Sequence, residues 1–243
     1  MRLTRHRVIL IGFVVLLICG AAALALIPRD RSGHLALRAE GQKPVLMVLT
    51  TLPLLFPEEF TLEGGGSMAL TALESRYRVT PIGTTDAASL KQGRLLLMAH
   101  PLAQPADALV DLDHWVREGG RVMLLADPKL DWPSVRPLGD KLRPPPSFAD
   151  TGLLKHWGLT LAAPSESGPQ QRELAGRQVL TASSGSLSGS CEIERGGFVA
   201  RCSLGKGRAV VVADADFLNV EELDGPSESN LDALRAELDR LER

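Results

Sequence analysis

The residues with the most chemical potential in this chain stand at the ends of apolar runs. His100 closes "LLLMAH", Asp127 closes "RVMLLAD", and Asp214 and Asp216 close "AVVVADAD". Carboxylates grouped with a histidine form a donor set that suits a divalent cation. The commoner use of carboxylates at strand ends is to cap nearby helices or to hold loop amides, and that structural reading is favoured here. His100, Asp127, Asp214 and Asp216 therefore stand as candidate ligand contacts, with no metal or cofactor assigned. Among the other histidines, His114 reads as facing solvent and His156, beside Trp157, as packing.

Covalent chemistry finds no recognisable agent. Cys19 lies in an apolar N-terminal run, Cys191 and Cys202 fall on an expected hairpin, and no G-x-S-x-G elbow occurs. Glu63 with "GGGS" resembles an anion cradle at a helix N-terminus, but it lacks the lysine of a phosphate loop and reads better as a turn. The expectation is a protein that acts by binding and is not an enzyme. In "CEIERGGFVARC" the pair Gly196–Gly197 fits a two-residue turn, which sets Arg195 opposite Phe198 and Cys191 opposite Cys202. Facing residues in an antiparallel pair have Cα atoms about 4.5 to 5.5 Å apart, within disulfide range, so these two cysteines are expected to join.

These residues need elements to position them. "PVLMVLTTL" is a continuous apolar run with β-branched members, the pattern of a strand buried on both faces. Ser67 can cap a helix over "SMALTALESR", and "YRVTPI" and "RLLLMAH" read as further strands. Ala108, Leu109, Leu112, Trp115 and Val116 make one apolar face of a helix that follows Pro105 and stops at Gly119–Gly120, before the strand "RVMLLADP". Strand, helix and strand with short turns imply a right-handed crossover in a parallel sheet. His100 and Asp127 then sit at carboxyl ends of strands, where open α/β sheets bind ligands.

Beyond Asp127, "KLDWPSVRPLGDKLRPPPSFAD" holds too many prolines for a helix or central strand and reads as a surface excursion. A short helix from Thr151 to Gly158 is expected next, then an extended piece, a loop over "PSESGPQQRELAG", the strand "RQVLTA" and a mobile "SSGSLSG". The strand "GRAVVVADADFL" and a C-terminal helix carrying Leu231, Leu234, Leu238 and Leu241 complete the pattern.

Composition narrows the function. The chain has 243 residues, a formal net charge of −2 and 4% aromatic residues, which removes both the basic field and the stacking platforms that nucleic-acid binding needs. Residues 8–27 are all apolar or glycine, long enough as a helix to cross a bilayer core of about 30 Å. Arg2, Arg5 and Arg7 on its N-terminal flank place that end in the cytoplasm. The reading is a cytoplasmic end (1–7), an uncleaved transmembrane anchor (8–27), a linker (28–43) and an extracytoplasmic domain (44–243); a cleaved signal peptide is the alternative, disfavoured by the length of the run.

Taken together, "TTLPLLFPE", "LLLMAHPLAQPADALVDLDHWVREGGRVMLLADP", "LLKHWGLTL" and "GKGRAVVVADADFL", with Asn230 heading the last helix, resemble the ABC-type uncharacterised transport system domain, found in gliding-motility-type auxiliary proteins of ABC transporters. The resemblance implies a Rossmann-like, class I glutamine amidotransferase-like parallel sheet with helices on both faces, here with a late β-hairpin. It implies a non-catalytic binding or scaffolding component in the inner membrane, its domain in the periplasm, partnered by a transporter permease and ATPase or other envelope subunits. The alternative is a divalent-metal-dependent hydrolase with its site at the strand carboxyl ends.

Overall fold

The apolar runs pair with one another, because strands hydrophobic on both faces can be covered only by neighbours in one sheet and by helices on either side. The structure, a computed structural model, describes residues 37–58, 66–223, 225, 227 and 229–243. The expected anchor at 8–27, the larger part of the linker and Glu63 lie outside the described residues. In chain order the elements are β1 (Val45–Thr50), α1 (Met68–Glu74), β2 (Arg78–Pro81), α2 (Ala87–Leu90), β3 (Leu95–Ala99), α3 (Ala106–Arg117), β4 (Arg121–Leu125), α4 (Leu153–His156), β5 (Leu159–Ala162), β6 (Pro169–Leu174), β7 (Arg177–Ala182), β8 (Ser186–Gly189), β9 (Glu192–Ile193), β10 (Val199–Leu204), β11 (Gly207–Val212) and α5 (Asn230–Glu242).

The fold is mixed α/β with a mainly parallel central sheet in the order β2-β1-β3-β4-β11-β10-β9. Pairs from β2 through β11 are parallel, and only β10 and β9 run against their neighbours. Alternate residues face opposite layers. Leu46, Val48, Leu97 and Val212 pack with Leu73 of α1 and Leu234 and Leu238 of α5. Met47, Leu49, Met98 and Val211 pack with Leu112 and Val116 of α3 and Leu154 of α4. Each such side chain contributes roughly 1.5 to 3 kcal/mol by leaving water.

Local chemistry sets the helix ends. The Ser67 side chain accepts from the Leu70 amide and caps α1, and Asp86 does the same for α2 through the Ser89 amide. Gly119, at φ 115°, turns the chain out of α3. Gly207 opens β11 where a Cβ would stand 1.9 Å from the Val116 carbonyl oxygen and 2.3 Å from that of Gly120, so only glycine lets the strand lie this close to the α3 turn.

Three stretches depart from expectation. The segment expected as a loop before "RQVLTA" contains β6, which pairs antiparallel with β7 across a turn at Ala175–Gly176, both at positive φ. Residues 186–189, expected to be mobile, form β8 and pair with β5. Here serine and glycine provide a narrow strand edge; a Cβ on Gly189 would meet the Gly158 carbonyl oxygen at 2.0 Å. The short helix α2 was hidden because it buries only Leu90.

The hairpin register is as counted. Arg201 faces Glu192 and Ala200 faces Ile193, which brings Cys202 to Cys191, and the two are joined by a disulfide with Cα atoms 4.8 Å apart.

Candidate functional site

The carboxyl ends of β1, β3, β4 and β11 open toward the same edge of the sheet, and the proline-rich excursion lies over them. Its return limb is tied down by backbone bonds: the Leu130 amide donates to the Pro146 carbonyl, and the Phe148 amide to the Asp127 carbonyl at 2.6 Å. His100 takes part in this closure. It is fully buried at φ 47°, its Nε2–H donates to the Pro145 carbonyl at 2.8 Å, and the Thr51 hydroxyl donates to its own carbonyl at 2.5 Å. Nδ1 meets no hydrogen-bond partner among the described residues. Burial, opposed only by the Pro145 contact, lowers the imidazole pKa below its ordinary value and keeps the ring neutral.

Asp127, Asp214 and Asp216 are brought together, with one oxygen of each within 4.8 Å of the others, and His100 is not part of that group. Their oxygens accept from loop amides. Asp127 accepts from the Lys129 and Ala215 amides at 2.8 and 2.9 Å, Asp214 from the Phe217 amide and the Thr181 hydroxyl, and Asp216 from the Asp131 amide at 2.9 Å. The β4 and β11 exits are thus stitched to each other and to the excursion. Burial is the largest force on all three carboxyls. It lifts Asp127 to about 6 against the pull of the amides, lifts Asp216 to about 8 with help from the Asp127 charge, and holds Asp214 well above its ordinary value.

Over β1 and β2 lies a cleft of about 470 Å³. Its floor and walls are mainly apolar, with Val48, Leu52, Leu55, Phe56, Ile82 and Leu142 among them. The polar groups are the Thr50 and Thr51 side chains, Glu58, Arg136 and Lys141. Glu58 is committed to the wall: it accepts from the Ser134 hydroxyl at 2.6 Å and the Val135 amide at 2.9 Å. Arg136 is held near its place by a 3.4 Å contact from Nη2 to the Glu58 carbonyl and a long, 3.8 Å approach to Asp140. Lys141 is exposed and makes no ion pair among the described residues.

None of the cleft residues was singled out from sequence. The one available signal was the run "RPLGDKLR", a locally basic stretch inside the excursion. Where it folds back is decided by contacts distant in sequence, such as Ser134 with Glu58, 76 residues apart. His114 is exposed, while His156 does not pack: it sits 3.2 Å from Asp113, which also accepts from the Trp157 indole.

No family model matches the chain. No curated protein matches it either. Among solved structures it is similar to the cytoplasmic protein STM3548 from Salmonella typhimurium, at 8% identity and a TM-score of 0.50, over 82% of this chain and 98% of that one. It is also similar to a ThuA-like protein from Bacteroides uniformis (12% identity, TM-score 0.43, covering 84% of this chain and 95% of the other). A third is the exo-β-1,4-mannosidase Op5Man5 from Opitutaceae bacterium strain TAV5 (12% identity, TM-score 0.47, over 82% of this chain). The chain spans about a third of the mannosidase's length, 36% of it.

These findings correct four expectations. The resemblance to ABC-transport auxiliary domains falls, since the chain matches no family model and its likeness at a TM-score of 0.50 is to another protein. The fold it implied stands only as a mixed α/β fold with a mainly parallel sheet. The non-catalytic ABC scaffold falls with it, and nothing in these findings favours the metal-dependent hydrolase in its place. The membrane and periplasmic character of that reading falls too, while the disulfide stands. The inner-membrane location with a periplasmic domain is withdrawn: among the described residues no helix is long and apolar enough to cross a membrane, and the run that suggested one lies outside them.

Proposed function

We propose that this domain binds a small amphipathic anion in the cleft at the carboxyl edge of its sheet, and that it acts by binding without covalent chemistry on the ligand. The observation that carries the reading is the composition of the cleft: apolar walls in a volume of about 470 Å³, with Arg136 and Lys141 at the rim and two threonines at the β1 exit. Binding cavities of this size are mostly apolar with a few placed polar groups, and the carboxyl edge of a parallel sheet is where they occur. Glu58 supports the wall with both oxygens taken by the Ser134 hydroxyl and the Val135 amide, so the charged side chains left to meet a ligand's head are Arg136 and Lys141.

An acidic head on an apolar body answers both features. The cations bind a carboxylate or phosphate head, and Phe56, Leu102 and Leu142, all well exposed, gain cover from the apolar part. Isothermal titration of the full chain with octanoate, octyl phosphate and octanol tests this. The acids bind and the alcohol does not, and the doubly substituted Arg136→Gln, Lys141→Gln variant loses roughly 10- to 100-fold in affinity, the span of one charged hydrogen bond. Equal binding of alcohol and acid, or no loss in the variant, contradicts the reading.

A further inference from the structure

We propose that Asp127, Asp214 and Asp216 form a binding site for one hard divalent cation, such as magnesium, manganese or calcium, which ties the exits of β4 and β11 together. The site is separate from the cleft, and no reaction is assigned to it.

Geometry and hydrogen bonding both point to the ion. One oxygen from each carboxylate lies within 4.8 Å of the others, and oxygens on opposite sides of a calcium-sized ion stand roughly 4.6 to 5.2 Å apart. The amides described above occupy both oxygens of Asp127 and one each of Asp214 and Asp216. Asp214 Oδ2 has no partner among the described residues, although Asp214 has no exposed surface and its nearest charges are Asp127 and Asp216. A buried carboxylate oxygen without a partner, on a residue grouped with two other carboxylates, needs a positive partner.

The local cation does not supply it. Lys129 is part-exposed and engaged elsewhere, with its Nζ bonded to the Ser167 and Ser183 hydroxyls and 3.6 Å from Asp131. An all-oxygen donor set without cysteine, and with His100 outside the group, selects hard ions over zinc or copper. The rival occupant is a proton shared among the three carboxyls, and the two differ in what raises stability.

The test is thermal unfolding of the full chain at pH 8, first in chelator and then with magnesium, manganese, calcium or zinc, alongside Asp214→Asn. The asparagine keeps an oxygen for Phe217 and Thr181 and presents an amide where Oδ2 stood, so this variant folds in chelator. One hard ion raises the wild-type melting temperature by roughly 5 to 10 °C at a hundredfold excess over its Kd, and Asp214→Asn abolishes the rise. Equilibrium dialysis of wild type with manganese gives one ion per chain and stays informative should the variant fail to fold. No saturable binding, binding unchanged in Asp214→Asn, or stabilisation by acid with no response to cations overturns the proposal.

Discussion

Replacing Cys191 and Cys202 together by serine removes the one covalent tie of the β9–β10 hairpin among the described residues. β9 is two residues long and among the described residues pairs only with β10, so without the disulfide it keeps the turn at Gly196–Gly197, a few backbone bonds, the Arg201–Glu194 ion pair and the packing of Ile193. The cysteines are 11 residues apart. In the chain-entropy account a closed loop of about that length costs the unfolded chain close to 9 cal/mol/K, or about 2.8 kcal/mol at 25 °C. For a domain of this size that is a fall in melting temperature of roughly 6 to 12 °C. Urea unfolding of the oxidised protein and the double-serine variant, with a reduced wild-type sample as a third arm, measures it. Reduction and substitution should agree, because both release the same loop. A loss under about 1 kcal/mol in both would refute the reasoning and mean that the unfolded chain already keeps this hairpin closed.

Three more outcomes follow from particular contacts. Asp239→Ala removes the carboxylate that receives the Arg76 guanidinium (2.5 and 3.1 Å) and the Tyr77 hydroxyl (2.6 Å) in a buried setting, so it should cost about 3 kcal/mol in urea unfolding. Gly207→Ala should cost about 3 kcal/mol as well, since the new methyl meets two carbonyl oxygens, and Gly83→Ala, where nothing lies within 4 Å, serves as the mild control. His100 is held neutral in the fold with its pKa lowered, so the unfolded chain takes up a proton that the folded chain refuses. Its contribution is complete above about pH 6.5 and is lost as pH falls, by at most about 1.4 kcal/mol per pH unit. Unfolding of wild type and His100→Gln between pH 8 and 5 should show a shallower slope in the variant, and parallel curves would contradict the assignment.

What could be read in advance was what local pattern decides. The runs ending at Thr50, Ala99, Leu125 and Val212 are apolar on both faces, and that is sufficient to place them inside one sheet. The cysteine pairing followed from a two-glycine turn and simple counting. β6 escaped because "PQQREL" is polar at nearly every position and buries only Leu174, and β8 escaped because its serines and glycines signal a linker unless a partner strand is known. The carboxylates were found because strand ends are visible in sequence. The cleft was not, because Arg136 and Lys141 reach Thr51 and Phe56 only through the route of the excursion, which is fixed by Glu58, Ser134 and the prolines at 144–146.

The claim on which the account turns is that the cleft over β1 and β2 is a binding site with a cationic rim. A crystal structure of the chain grown with octyl phosphate tests it most directly. The account predicts density for the ligand in the cleft, its phosphate within hydrogen-bond reach of Arg136 or Lys141 and its alkyl chain against Leu55, Phe56 and Ile82. An ordered ligand seated elsewhere, or a cleft that stays free of it at saturating concentration, would contradict it.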